Sequence, residues 1–475
     1  MIYYLALAII LFLVLVLSGP ALRLFKKSGI TNKNSISEYS SNVARKEAIQ
    51  LRNDADDRYV RKLGSVYMMP TALTILKMLN HWQFLKTFWK TPMIYEFGET
   101  NADVLVVFAI YEKNNLRPDI KNALIELKKL GCSILLVNSR KLSIKSRNEL
   151  SDLITIYMER ANYGRDFGSY KDGIIWLYKN KKHEMLAAKK LLVLNDSVFY
   201  SRNRLGEFFS DLIASESAAI GATLNYERSP HIGSFCLSFN ANIFLHKKFI
   251  KYWSKYRKTD LRAHTIKYGE LALSKMLTRI SPDDPAINAL YEGHKVVRLL
   301  QDNEALLKSI HNANRNAERD MNTLRSNIRV EMIRMDYHLQ HHGSESIFQT
   351  ENVEDRLSFA GTFDDGFEAF KRGATGDLTE LYGIYKKSLI SFIGNEFDKR
   401  SQIHQNATIL PLLGCPIIKL DLEFRGVTDS FDRMTICESL HPDDASELSR
   451  LLASRPWGET SLSGWRLAAF QWGHL

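Results

Sequence analysis

The sequence predicts an α/β fold: a mostly parallel sheet flanked by helices, with a ligand crevice at the carboxyl edge of its strands. Three observations predict it. Residues 104–111 (VLVVFAIY) and 191–194 (LLVL) are short unbroken apolar runs, the pattern of strands buried on both faces. Helix-like stretches alternate with such runs between about residues 100 and 280, and that alternation implies parallel neighbours. The second run stops abruptly in Asn195-Asp196-Ser197, oxygen-bearing side chains at the strand end where open α/β sheets bind ligands.

At 475 residues the chain is long enough for two or three domains, and its 45% hydrophobic and 25% charged content is ordinary for globular protein. The net charge of +11 is unevenly spread: residues 21–92 hold 13 Lys and Arg against 5 Asp and Glu. Such a local excess beside the N-terminus suits an anionic membrane face, and no RNA- or DNA-reading motif accompanies it, so no nucleic-acid partner is expected. Cys132, Cys236, Cys415 and Cys437 are widely spaced and form no Cys-x-x-Cys pair. A disulfide framework or zinc site is therefore not expected, and a reducing compartment fits.

In chain order, residues 2–17 carry no charge or helix breaker and, extended through 22, predict a transmembrane anchor over residues 1–22. No Lys or Arg precedes the run, while Arg23, Lys26 and Lys27 follow it. The positive-inside rule then puts everything after residue 23 in the cytoplasm, and the missing basic n-region argues against a cleaved signal peptide. Residues 23–97 form a basic juxtamembrane region. Its stretch 71–90 sets Leu73, Leu76, Leu79, Trp82, Leu85 and Phe88 near one helical face, which suits either an in-plane membrane helix or a helix packed on the next domain.

Residues 98–283 are the sheet domain. After the strand at 104–111, Pro118 opens a helix that Gly131 closes. Strands follow at 132–138 and 153–158, then a loop, a helix and the strand at 191–194. A helix at 205–215, strands at 218–224 and 234–240 and a helix at 247–256 complete it. Tyr111, Glu112, Asn138 and Ser139 end the first two strands and are candidates for base and ribose contacts. In the loop Asn162-Tyr-Gly-Arg-Asp-Phe-Gly-Ser-Tyr-Lys171, Gly164 and Gly168 frame Arg165 and Asp166 and allow close backbone approach to a ligand. Arg165 suits phosphate, and Asp196 suits a hard divalent cation, Mg²⁺ or Mn²⁺, bridging phosphate oxygens. A nucleotide diphosphate fits this set.

Beyond residue 283, Leu300, Leu307, Asn314, Met321, Ile328 and Met335 recur every seven residues, and residues 294–342 contain no Gly or Pro. A helical or coiled-coil arm over residues 284–344 follows, either a homo-oligomer seam through 294–342 or an arm packed within the chain. Residues 345–475 read as a mixed α/β accessory region, helical over 364–395 and a strand at 417–422. His441-Pro-Asp-Asp444 reads as a helix cap.

The run Asn162 to Lys171 followed by Leu194-Asn-Asp-Ser197 resembles the rhamnan synthesis protein F family of polysaccharide glycosyltransferases. More distantly, the Asn-x-Gly element, helix and acid-ended strand resemble inverting glycosyltransferases of the GT-A fold. The resemblance spans about residues 100–280 and returns at His404-Gln-Asn-Ala407 and Gly414 to Lys419. It implies a GT-A-like domain and a nucleotide-sugar donor, dTDP-L-rhamnose first, bound by Asn162, Gly164, Arg165, Asp166, Asn195 and Ser197. It also implies catalytic roles for Asp196 and Glu270, with Glu270 as general base, and acceptor contacts from His231 and His404.

The acceptor implied is a glycan, carried on a lipid, with the enzyme held at the bacterial inner membrane by a single span and facing the cytoplasm. Many GT-A enzymes present two acids where this chain has Asn-Asp-Ser, so metal-independent transfer, with Arg165 neutralising the diphosphate, is the alternative on that point. A non-catalytic scaffold of a polysaccharide assembly complex is the alternative overall.

Overall fold

The structure, a computed structural model, describes residues 69–471 apart from 101, 228, 283–286, 315–362, 372–376 and 429. The chain divides into two compact units, residues 1–75 and 76–475, and the architecture below is that of the second. The expected anchor at residues 1–22, the juxtamembrane residues 23–68 and the heptad positions beyond 314 lie outside the described residues. Among the described residues no helix is long and apolar enough to cross a membrane.

The strands, in chain order, are β1 (Met93–Glu96), β2 (Val104–Ile110), β3 (Ser133–Asn138), β4 (Ile156–Glu159), β5 (Lys190–Asn195), β6 (Val198–Tyr200), β7 (Ala219–Gly221), β8 (Leu224–Asn225), β9 (His231–Ile232), β10 (Cys236–Asn240), β11 (Asn288–Ala289) and β12 (Ile417–Lys419). Eight of them form one sheet in the order β1-β4-β3-β2-β5-β10-β7-β11, while β12 pairs with β6 and β8 with β9. The expected sheet is thus mixed. Its pairings β4–β3, β3–β2, β2–β5 and β7–β11 are parallel, and β1–β4, β5–β10 and β10–β7 are antiparallel. Between β7 and β10 the described residues of 222–235 contain no helix, so the chain returns antiparallel there instead of crossing over.

The helices used below are α1 (Met69–Phe88), α2 (Pro118–Lys129), α3 (Arg165–Asn180), α4 (Leu205–Ala214), α5 (Lys247–Lys255), α6 (Leu271–Ile280), α7 (Gly293–Asp302), α8 (Glu304–Asn314), α9 (Leu378–Phe397) and α10 (Pro442–Ala453). Alternate residues of each central strand serve opposite faces. Val106, Phe108, Leu136, Leu192 and Leu194 join a core with α2, α4, α7, α8 and α9. Leu105, Val107, Leu135, Val137, Leu191 and Val193 join a second core with α3, α5 and α6. Burial on both faces explains why these strands read as continuous apolar runs. A Cβ on Gly173 of α3 would stand 2.8 Å from Val107 Cγ1, so glycine lets this helix lie directly on the sheet.

The expected coiled-coil seam is different where it is described. The helix breaks at Asn303 (φ −133°, ψ 89°), and Leu300, Leu307 and Ile310 are fully buried in the chain's own core. The expected helix over 364–395 is two helices, Phe363–Lys371 and α9, the second capped by Asp377 accepting from the amides of Thr379 and Glu380. On α1, Leu79, Trp82, Leu85 and Phe88 stay about half exposed, whereas Phe84 meets the Tyr163 ring at 5.9 Å. His441 caps α10, its Nδ1 accepting from Asp443 N.

Candidate functional site

Parallel alignment brings the carboxyl ends of β2, β3, β4 and β5 to one edge, and the motif residues gather there. The loop entering α3 is held in a left-handed turn, Gly164 at φ 97° and Arg165 at φ 53°. Glycine suits the first of these positions, and a Cβ there would also stand 2.8 Å from Lys258 Cβ. Gly164 N donates to Asp260 Oδ1 at 2.7 Å. Buried Arg160 secures the loop from beneath, pairing with Asp172 Oδ2 at 2.6 Å and donating to Ser139 Oγ, Ser169 Oγ and the Tyr163 carbonyl.

Within Asn162–Lys171 the side chains divide sharply. Tyr163, Phe167, Ser169 and Tyr170 are buried, Tyr170 donating to the Ser234 carbonyl at 2.8 Å. Lys171 is spent on the carbonyls of Ser254 and Tyr256. Asn162 and Arg165 are exposed and Asp166 is half-buried. These three are the residues of the motif left to meet a ligand; the others make its fold.

At the end of β5, Asn195 is buried and fully engaged. Its Nδ2 donates to Asp166 Oδ2 at 3.0 Å, and its Oδ1 accepts from Ser197 N and Ser197 Oγ. Asp196 is half-buried, with Oδ2 accepting from Tyr111 N at 2.5 Å. Desolvation pushes Asp196 up to about 6, against the pull of Arg117 and with Asp166 adding to the rise. Burial likewise raises Asp166, against the pull of Arg165 and Lys419. Burial disfavours the charged form of both carboxyls, and a hard divalent cation would favour it, so the pair is a donor set that fits such an ion. Among the described residues no three acidic, His or Cys side chains converge as a metal cluster, so such an ion would rest on Asp196 and Asp166 with oxygens of its ligand.

Glu270 reaches the same edge from the other side. It ends a π-helical turn, Thr265–Glu270, that leads into α6; such turns widen a helix and re-aim its side chains. Glu270 Oε1 accepts from Ser234 Oγ at 2.8 Å, and Oε2 lies 3.5 Å from His231 Nε2. Burial opposes ionisation of Glu270, but the hydrogen bonds from His231 and Ser234 outweigh it and lower its pKa. His231 is raised: burial works against protonation, yet Glu270 and the Ser229 carbonyl favour it more strongly. The contact therefore favours the charged form of each partner.

Several predicted residues are placed where direct contact is closed to them. Asn138 is buried, its Oδ1 accepting from Glu112 N and Arg140 N and its Nδ2 donating to the Glu112 carbonyl and Tyr157 OH. It shapes the β3 end and has no free group for a donor. Ser139 is likewise buried, against Ser169 Oγ at 3.1 Å. His231 is 2% exposed, its Nε2 turned to Glu270 and its Nδ1 to the Ser229 carbonyl. His404 joins Ser401 Oγ at 2.8 Å to Asp421 Oδ1 at 3.0 Å. Tyr111 remains open, with its ring 4.7 Å from the Arg140 guanidinium.

Sequence reasoning missed Arg117, Lys419 and Arg262. Arg117 donates to the Asp196 carbonyl at 3.0 Å while pairing with Asp119; its place just before Pro118 was the available signal. Lys419 ends β12 and donates to Ser197 Oγ at 2.7 Å, and a Lys closing an apolar strand was visible. Nothing local marks Arg262. A separate basic concavity of about 1520 Å³ is lined by Arg160, Tyr163, Lys251, Lys255 and Arg257 among others, but by none of Asp166, Asp196 and Glu270. The chemistry concentrates at the sheet edge, so the site is assigned there.

The chain is 28% identical over 179 residues to the uncharacterized protein y4gN of Sinorhizobium fredii, an alignment covering 37% of this chain and 45% of that one. It thus spans less than half the length of that relative. Among solved structures it is similar to the mannosyltransferase Ktr4p of S. cerevisiae, at 9% identity and TM-score 0.20 over 38% of this chain and 69% of that one. It is also similar to the glycosyltransferase GlyE of Streptococcus pneumoniae, at 13% identity and TM-score 0.24 over 62% of this chain and 63% of that one. At such TM-scores neither likeness carries an argument about the site. Residues 134–280, the span holding the Asn162–Lys171 loop, Asn195-Asp196-Ser197 and Glu270, match the family of rhamnan synthesis protein F.

Proposed function

We propose that the chain is a glycosyltransferase of cell-surface polysaccharide synthesis, moving a sugar from a nucleotide-sugar donor to a glycan acceptor with inversion. The observation that carries this reading is the convergence of Asp166, Asp196 and Glu270 on one sheet edge, within the span that matches rhamnan synthesis protein F. The donor diphosphate lies over Asp196 and Asp166, with Tyr111 and Asn162 at its nucleoside side. Asp196 and Asp166 would hold a Mg²⁺ or Mn²⁺ ion, which would supply charge neutralisation to the departing diphosphate. Asn195 orients Ser197 and Asp166. Glu270, ionised and oriented by His231 and Ser234, accepts the acceptor's hydroxyl proton. The acceptor oxygen bonds to the anomeric carbon as the carbon–oxygen bond to the donor phosphate breaks, and the nucleoside diphosphate leaves with the electron pair.

The family match makes L-rhamnose, carried by dTDP, the first sugar to test. Attachment to the bacterial inner membrane through residues 1–22, facing the cytoplasm, belongs to the same proposal. Its support is the uncharged run followed by basic residues. The test is a binding and slow-hydrolysis screen of the full-length protein against a panel of nucleotide sugars, with Mn²⁺ and with chelator. Selective binding or hydrolysis of one donor supports a transferase and identifies its sugar. Silence across the panel from folded protein overturns it and leaves the scaffold.

A further inference from the structure

The edge just described is completed from outside the family match. Strand β12 pairs antiparallel with β6, Lys419 opposite Val198 and Ile417 opposite Tyr200. Backbone bonds extend the join, Ser201 N donating to the Pro416 carbonyl at 2.7 Å and Leu420 N to the Ser197 carbonyl at 3.3 Å. A second stitch ties the same segment to β8: Leu224 N donates to Gln402 Oε1 and Tyr226 N to the Arg400 carbonyl, both at 2.6 Å. Residues 400–420 are therefore built into the sheet edge, next to Asn195-Asp196-Ser197.

This segment delivers a cation. Lys419 Nζ donates to Ser197 Oγ at 2.7 Å and lies 5.1 Å from the centroid of the Phe235 ring. Among the described residues it forms no ion pair within 4.0 Å, although its charge is felt by Asp166, Glu270 and Asp421. Arg262 acts on the same Asp421 as Lys419 does, and its Nη1 is buried without a hydrogen-bond partner. Asp421, the acid that acts on it most strongly, is already engaged by Arg425 and by His404 Nε2 at 3.0 Å. A guanidinium nitrogen left unpaired out of water is costly, and an anion arriving at the site relieves that cost.

We propose that Lys419 and Arg262 together bind the diphosphate of the donor, so that the C-terminal segment is part of the donor site. The inference rests on reading the edge as a nucleotide-sugar site. Lysine supplies a point charge with free donors beside Ser197, and arginine a planar fork suited to phosphate oxygens. Negative charge grows on the diphosphate as its bond to the sugar breaks, so both cations hold the transition state more tightly than the intact donor.

The test uses the full-length protein with dTDP and UDP, each beside its nucleoside monophosphate, titrated by calorimetry both with Mn²⁺ and with chelator. Lys419→Gln and Arg262→Gln are each expected to weaken diphosphate binding roughly ten- to a hundredfold while monophosphate binding moves little, the loss expected of a charged hydrogen bond. Lys419→Arg should recover part of the loss. Thermal melts establish that each variant is folded. Diphosphate affinity unchanged in both variants overturns the proposal, as does an equal loss for mono- and diphosphates. No nucleotide binding by the folded wild type is a different result: it overturns the transferase reading and this inference with it.

Discussion

Asn195 Nδ2 donates to Asp166 Oδ2 at 3.0 Å, joining the end of β5 to the first turn of α3. The same buried side chain accepts from the amide and hydroxyl of Ser197. One amide therefore sets the positions of the groups on both sides of Asp196. Asn195→Ala should leave Ser197 donors and the Asp166 carboxyl unpaired and cost about 1–3 kcal/mol. Urea unfolding measures it, and an unchanged midpoint would show the network to be dispensable.

Glu270→Gln keeps the shape of the side chain and removes its proton-accepting charge. Turnover is expected to fall about 10²–10⁴-fold, with donor affinity close to wild type because Glu270 faces the acceptor in the proposed geometry. Single-turnover rates beside equilibrium binding separate the two. A variant retaining wild-type turnover would end Glu270's candidacy as the base.

The His231–Glu270 pair has a pH window with two edges. His231, raised in the fold, contributes stability fully present below its ordinary 6.5 and lost as pH rises through its folded value. Glu270, lowered in the fold, contributes stability present above its ordinary 4.5 and lost as pH falls through its folded value. The stability difference between wild type and His231→Gln should be greatest between pH 4.5 and 6.5 and shrink on either side. A difference independent of pH would mean that His231 acts by packing alone.

Asp196, pushed up to about 6, makes cation binding sensitive to acid. Proton and cation compete for one carboxylate, so Mn²⁺ affinity should weaken as pH falls through about 6 and be abolished in Asp196→Asn. For stability without metal the sign is opposite. The neutral carboxyl favours the fold below the ordinary 3.8, and that contribution is lost as pH rises through 6. Calorimetric titration of Mn²⁺ across that range decides it, and a flat affinity would count against Asp196 as a ligand.

Arg160 is the anchor beneath the motif loop, its side chain 2% exposed and paired with Asp172, itself also bound by Lys258. Arg160→Ala is expected to cost about 1–3 kcal/mol, because Ser139, Ser169 and the Tyr163 carbonyl lose a buried donor while Lys258 still neutralises Asp172. Differential scanning calorimetry reads the loss directly. A shift typical of an exposed surface pair would show the loop to be held by other contacts.

Much of the domain was legible before any coordinates. The apolar runs at 104–111 and 191–194 and the Pro118 helix start are local patterns, and they appear as β2, β5 and α2. Strand direction was less legible: β10 runs antiparallel because of what lies between it and β7, and apolar strand patterns look alike in either direction. The motif Asn162–Lys171 stands out in the sequence as a segment, but its residues serve different ends in the fold. Its aromatic and glycine positions pack the loop, Lys171 is held by two carbonyls, and Asn162, Arg165 and Asp166 are left to meet a ligand.

What the sequence by itself determined was the α/β class, the central strands and the acid that ends β5, because burial on two faces and the close of a strand are written in consecutive residues. What only the tertiary structure decided was which side chains meet there. Lys419 reaches Ser197 across 222 positions of chain, and Glu270 is aimed by a π-turn and paired with a histidine from another strand. Contacts of that kind depend on how elements pair and pack, and no local periodicity encodes them.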